Sequence, residues 1–173
     1  LLLGGNETTA TALTWTVYLL AVNEAEQEAT HAEIDRVVAG AIDRGVNYFD
    51  VAPSYFDGEA ELKLGQALRG RREGVFYACK TTEREALSAR AQLERSLLRA
   101  HTDHFDLYQF HAVTSRAEVR TILGPGGAGE TFLKAREEGK VRYLGASCHS
   151  VEAALELMAS FPLDSILFPV NFA

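Results

Sequence analysis

Cysteine is scarce in this chain: Cys79 and Cys148 are the only two, far apart and outside any CxxC pair. That argues against a disulfide scaffold and suits a reducing cytoplasm. Basic residues are in the minority, 17 against 24 acidic ones, for a formal net charge of −7. A general affinity for nucleic acid or anionic membranes is therefore not expected. No apolar run reaches the ~20 residues that a bilayer span needs; "ALTWTVYLLAV" stops well short. The opening "LLLGG" carries no basic region of the kind a signal peptide has. Methionine occurs once, at Met158, so no initiator is present, and "SILFPVNFA" breaks off in or just after a strand. Both ends read as cut.

What is present is ordinary for one soluble domain with a real core: 47% hydrophobic and 24% charged residues over a length of 173. Residues 1–22 read as a helix apolar nearly all round, which predicts burial. Asn23 is a plausible cap for a second helix, in which Ile34, Val38 and Ile42 recur at i+4 and periodicity runs on to Arg44. Beyond it the style changes. "VNYFDVA", "GVFYACK", "HFDLYQFH", "VRYLGASC" and "SILFPVNF" are short, nearly continuous apolar runs, as in strands buried on both faces. Helical patterns at residues 59–68, 86–100, 130–138 and 151–160 alternate with them, which predicts βαβ units.

Each run closes on a polar residue. Asp50, Lys80, His111, Ser147 and Asn171 follow one another at spacings of 30, 31, 36 and 24 residues. A period near thirty is one βα unit, and the carboxyl ends of barrel strands face a common site. Tyr55 follows Asp50 in a turn stiffened by Pro53. A lysine closing a buried strand needs a counter-charge, and Asp50 on the neighbouring strand supplies one. A cation beside Tyr55 favours its phenolate. With His111 one strand further on, Asp50, Tyr55, Lys80 and His111 together make a tuned proton donor.

The run "AIDRGVNYFDVAPSYFDGEAELKLGQAL", then "VFYACKT", "FDLYQFH", "EGKVRYLGASCHS" and "FPVNF", resembles the aldo-keto reductases over about residues 40–173. The resemblance implies an α/β fold, a partial (β/α)8 barrel of about five βα units, and reduction of an aldehyde or ketone with NADP(H). It implies Tyr55 as general acid, Asp50 and Lys80 as the residues that tune it, and His111 as the residue that orients the carbonyl. Asp50, Ser147, Cys148 and Asn171 would contact the cofactor, Ser147 and Asn171 at the nicotinamide carboxamide. Cys148 departs from the Asn usual after that Ser, and Pro169 stands where Gln is common. With five of eight strands countable, the chain alone is expected to be inactive. The same residues also suit a regulatory barrel that binds cofactor without turnover.

The first part of the chain differs. "GGNETTATALTWTVYLLAVNEAEQEATHAEIDRVV" resembles the oxygen-activating helix, and the helix after it, of the haem-thiolate monooxygenase cytochromes. That resemblance places Glu7 and Thr8 above a haem and makes a haem-monooxygenase fragment a further alternative, although no cysteine lies in a haem-ligand loop. "IDR" occurs on both sides of residues 37–40, which reads as a join between a helical segment of foreign origin, residues 1–38, and a barrel part, residues 39–173. Three other patterns carry less. "GPGGAG" at 124–129 satisfies GxGxxG, but "EVRTIL" before it is a poor strand, so a loop is expected. "HTDH" at 101–104 fits a helix-to-strand turn rather than a metal site, and the arginines of "SARAQLERSLLRA" suggest a solvated helix face.

Overall fold

The computed structural model describes residues 24–170. Helix α1 (Glu24–Asp43) leads into β1 (Tyr48–Asp50), a 3-10 turn (Tyr55–Gly58), α2 (Glu59–Ala67), a second 3-10 turn (Arg72–Gly74) and β2 (Phe76–Thr81). Then come α3 (Ala86–Arg99), β3 (Phe105–Val113), α4 (Arg116–Leu123), α5 (Ala128–Glu137), β4 (Val141–Cys148), α6 (Val151–Ser160) and β5 (Ser165–Leu167). The apolar helix expected over residues 1–22 lies outside the described residues, as do Glu7, Thr8 and Asn171.

The five strands are all parallel and lie in the order β1-β2-β3-β4-β5. A sheet that adds each new strand on the same side never reverses, which is the winding of a barrel rather than of a doubly wound sheet. The described residues thus form a half-barrel. Its βα units follow the expected alternation closely, with α6 on the predicted residues and the other helices shifted by one or two positions.

Helix α1 runs unbroken through residues 37–40, where the sequence changes style. Val38 and Ile42 pack against the barrel core, so the i+4 pattern has a partner to bury against. One helix was not expected at all. The eight residues of α4 are too few for periodicity to stand out, but Ser115 caps the helix by accepting from the Glu118 N–H, and Val119 and Ile122 are buried.

The core lies between the sheet and the helices. Tyr77 and Cys79 of β2, Tyr108 and Phe110 of β3, and Leu144 and Ala146 of β4 meet Leu93, Ile122, Phe132 and Leu157. Alternation along each strand sends these side chains to the helix side, and each large one so buried contributes roughly 1.5–3 kcal/mol. Phe110 stacks on Phe132 with ring centroids 3.8 Å apart and meets the edge of Phe161 at 5.5 Å. Burial on both faces, expected from the continuous apolar runs, holds only in part. Tyr48, Phe76 and Tyr143 form a stacked ladder on the other face, at 5.2 and 6.1 Å, with Tyr48 and Tyr143 half exposed.

At the amino ends of the strands, buried Asp106 ties β2, β3 and β4 together. It accepts from the Tyr77 N–H at 2.8 Å and pairs with Arg72 and Arg142, each at 2.9 Å. The carboxyl ends are thereby left for chemistry. Among the described residues no helix is long and apolar enough to cross a membrane.

Candidate active site

Asp50 ends β1 and Lys80 stands one residue before the end of β2. Parallel pairing of Asp50 with Ala78 brings the two side chains to one face. The Lys80 Nζ donates to Asp50 Oδ1 at 2.5 Å and to the Tyr55 hydroxyl at 2.9 Å. It also lies 4.9 Å from the centre of the Tyr55 ring. Burial works against the ammonium, but the hydrogen bonds and charges of Asp50 and Tyr55 outweigh it and lift the Lys80 pKa above its ordinary value.

Tyr55 owes its position to an unusual turn. Phe56 and Asp57 take left-handed φ values of 50° and 53°, and Gly58 follows at 89°. Left-handed non-glycine residues cost free energy and persist only where the surroundings hold them. Here Arg99 lies directly over Gly58, where a Cβ would meet its Nη1 at 2.0 Å. The same guanidinium bonds Glu61, which is fully buried, at 3.2 Å, and Glu61 also accepts from the Cys79 thiol at 3.6 Å. Arg99 is therefore an anchor of the Tyr55 turn and not part of a solvated arginine face, because a buried carboxylate demands a partner.

His111 on β3 joins from the other side. Its ring meets the Tyr55 ring edge-on at 5.8 Å, and its Nδ1 lies 3.4 Å from the Ser54 hydroxyl. Burial first, and then the Lys80 cation, lower its pKa against the opposing pull of Asp50. The imidazole is thus held neutral at physiological pH. The structure brings Asp50, Tyr55, Lys80 and His111 together at the carboxyl ends of three adjacent strands.

The expected cofactor contacts fare differently. Ser147 accepts from the Ala112 N–H at 3.0 Å, which leaves its hydroxyl proton free to donate. Cys148 is corrected: it is 1% exposed and belongs to the helix-side core, with its pKa raised by burial. Adjacent strand residues point to opposite faces, so Cys148 cannot share the face of Ser147. Both cysteines are free and buried. Gln109 was not expected at the site. It lies on β3 between Lys80 and Gly145 in register, and its buried Nε2 has no hydrogen-bond partner. The signal was available, since Gln109 is two residues before His111 and shares its face. Ser147 stands two residues beyond the Gly145 that pairs with Gln109, so the unsatisfied amide and the serine hydroxyl share one face of the sheet, a donor set that fits a carboxamide-bearing ligand such as the nicotinamide end of NADP(H).

A half-barrel of parallel strands with a lysine-paired tyrosine at its carboxyl face defines the class. The chain belongs to the aldo/keto reductase family, whose model matches residues 15–172. It is 32% identical over 146 residues to the aldo-keto reductase YhdN of Bacillus subtilis, a match covering 78% of this chain and 42% of that protein. It is 36% identical over 126 residues to the methylglyoxal reductase YeaE of Escherichia coli, covering 72% of this chain and 41% of that protein. The crystal structure of an aldo-keto reductase from Klebsiella pneumoniae in complex with NADPH superposes with a TM-score of 0.67 at 29% identity, covering 76% of this chain and 45% of that one. This chain thus spans less than half the length of these relatives. The family match begins at residue 15, inside the segment that resembles the haem-thiolate cytochromes, and lends that resemblance no support.

Proposed function

We propose that the whole protein reduces an aldehyde or ketone to an alcohol with NADPH, in the cytoplasm, at the site formed by Asp50, Tyr55, Lys80 and His111. The observation that carries this is the Lys80 ammonium bridging Asp50 and the Tyr55 hydroxyl at 2.5 and 2.9 Å. The methylglyoxal reductase and the NADPH complex among the relatives support it. When bound, NADPH supplies the hydride for the carbonyl carbon; Ser147 and Gln109, with Asn171 beyond the described residues, would hold its nicotinamide end. Tyr55 donates its hydroxyl proton to the carbonyl oxygen as charge develops there, and Lys80 stabilises the phenolate left behind. Asp50 keeps the ammonium in place. The neutral His111 donates a ring N–H to the same oxygen and orients it. One hydride and one proton account for the alcohol.

The test is to follow loss of NADPH absorbance in the full-length protein with a panel of aldehydes and ketones. Turnover that depends on the carbonyl supports the proposal; tight NADPH binding without turnover would replace it with a regulatory barrel. A foreign origin for residues 1–38 draws support from their residue pattern alone. Determining the coding sequence across residues 37–40 in the source genome tests it, and an uninterrupted relative with the same join would end it.

A further inference from the structure

The end of β3 is irregular beside the site. The pairing of β3 with β4 slips between Phe110 and Val113, and Ala112 takes a left-handed φ of 54°. A non-glycine residue held there signals a bulge that other groups must enforce. Ser147 holds the Ala112 N–H. Arg84 holds the other side: its Nη2 donates to the His111 carbonyl at 2.8 Å and reaches the Ala112 carbonyl at 3.5 Å.

Arg84 is itself fixed in every direction. Its guanidinium bonds Glu118 of α4 at 3.2 Å through Nη2 and 3.3 Å through Nε. Glu118 in turn accepts from the Thr114 N–H at 2.7 Å and its hydroxyl at 2.8 Å. Burial disfavours the Glu118 carboxylate, but these donors and Arg84 overcome it and hold its pKa below the usual value. The Arg84 backbone is clamped by the glycine-rich loop 124–129. Ala128 N–H donates to the Arg84 carbonyl and Ala86 N–H to the Gly126 carbonyl, both at 2.8 Å. That loop packs so tightly that a Cβ at Gly127 would meet the Thr121 and Ile122 carbonyl oxygens at 2.2 and 2.3 Å. Its glycines brace a neighbouring loop.

We propose that Arg84 is a positioning residue that sets the His111 side chain against Tyr55 by gripping the carbonyls of the β3 bulge. The inference rests on the reductase reading of the same site. It makes the glycine-rich loop, α4 and Glu118 one brace with a single output, the orientation of His111. The charged and titratable groups around His111 are Lys80 from β2, Asp50 from β1, Tyr55 from its turn, His149 after β4 and Arg84 itself. Arg84 is among the cations that lower the His111 pKa, so its charge and its fork are separable contributions.

The experiment uses Arg84→Met and Arg84→Lys in the full-length protein. Lysine keeps the charge but not the fork. Both variants should lower kcat, Met by about 100-fold, because small misplacements at a reacting centre cost that much. NADPH affinity should stay within about twofold of the parent, which separates positioning from general damage. The His111 imidazole, assigned by NMR through its loss in His111→Gln, should titrate higher in Arg84→Met and little changed in Arg84→Lys. If Met fails to fold, Lys decides. Unchanged kcat in both variants, or equal losses of kcat and cofactor affinity, would overturn the proposal. If the parent protein reduces no carbonyl, the functional reading falls, and an unchanged nuclear Overhauser contact between the His111 and Tyr55 rings in both variants then overturns the positioning role as well.

Discussion

Lys80 and Asp50 form an ion pair at 2.5 Å in which one partner is 3% exposed and the other 28%. The pair is therefore unequal. Removing the lysine leaves a carboxylate that water still reaches, whereas removing the aspartate leaves a buried ammonium with only the Tyr55 hydroxyl. Asp50→Ala should cost about 1–3 kcal/mol more stability than Lys80→Met, the usual penalty of stranding a buried charge. Both should lower the reduction rate, by roughly 10² or more. Urea unfolding and steady-state kinetics check the two orders, and equal destabilisation would show that solvent reaches Lys80 freely.

Tyr55→Phe keeps the ring that packs against His111 at 5.8 Å and under Lys80 at 4.9 Å, and deletes only the hydroxyl. Carbonyl reduction should fall by roughly 10²–10⁴, the ordinary worth of a positioned general acid. NADPH titration by fluorescence should be almost unaffected. A matching loss of cofactor affinity would instead make the tyrosine part of the binding surface.

Why some of this was legible in the sequence and some was not follows from contrast. A lysine, an aspartate and a histidine closing apolar strands stand out, and the thirty-residue spacing puts them at the same place in successive βα units. Gln109 is inconspicuous because one amide inside "DLYQFH" does not break the run, although alternation places it on the His111 face. Cys148 came to the site through the resemblance alone, and alternation puts it on the face opposite Ser147, in the helix-side core. Arg84, Arg99 and Glu61 sit in loops and helices where charges are normally solvated, and only tertiary packing shows which are buried. Helix α4 was too short to announce itself by period.

His111 makes stability depend on pH in a defined direction. Burial and Lys80 lower its folded pKa below the unfolded value of about 6.5. The folded state therefore binds the proton less readily than the unfolded one. Its contribution is fully present above about pH 6.5 and is lost as pH falls through the lowered folded value. Urea unfolding of the parent and of His111→Gln across that range should converge on acidification, the parent losing the larger share of its stability. Parallel curves would show that the imidazole is as free to protonate in the folded protein as in the unfolded chain.

Gly58 links the strained turn to the core, and that link can be measured. Its φ of 89° disfavours any side chain, and a Cβ there would meet Arg99 Nη1 at 2.0 Å. The backbone penalty alone is about 1–2 kcal/mol. The steric contact by itself would be cheap, since a guanidinium can swing aside. Swinging aside, however, breaks the 3.2 Å pair with Glu61, a fully buried carboxylate whose remaining donor is the Cys79 thiol. Stranding that charge adds about 1–3 kcal/mol. Gly58→Ala should therefore be costlier in the parent than in an Arg99→Ala background, where only the backbone penalty is left. Because Tyr55 opens the same turn, kcat should drop with stability in the parent. Urea unfolding of the four members of this cycle decides the matter: an equal cost of Gly58→Ala in both backgrounds would mean that Arg99 does not hold the turn.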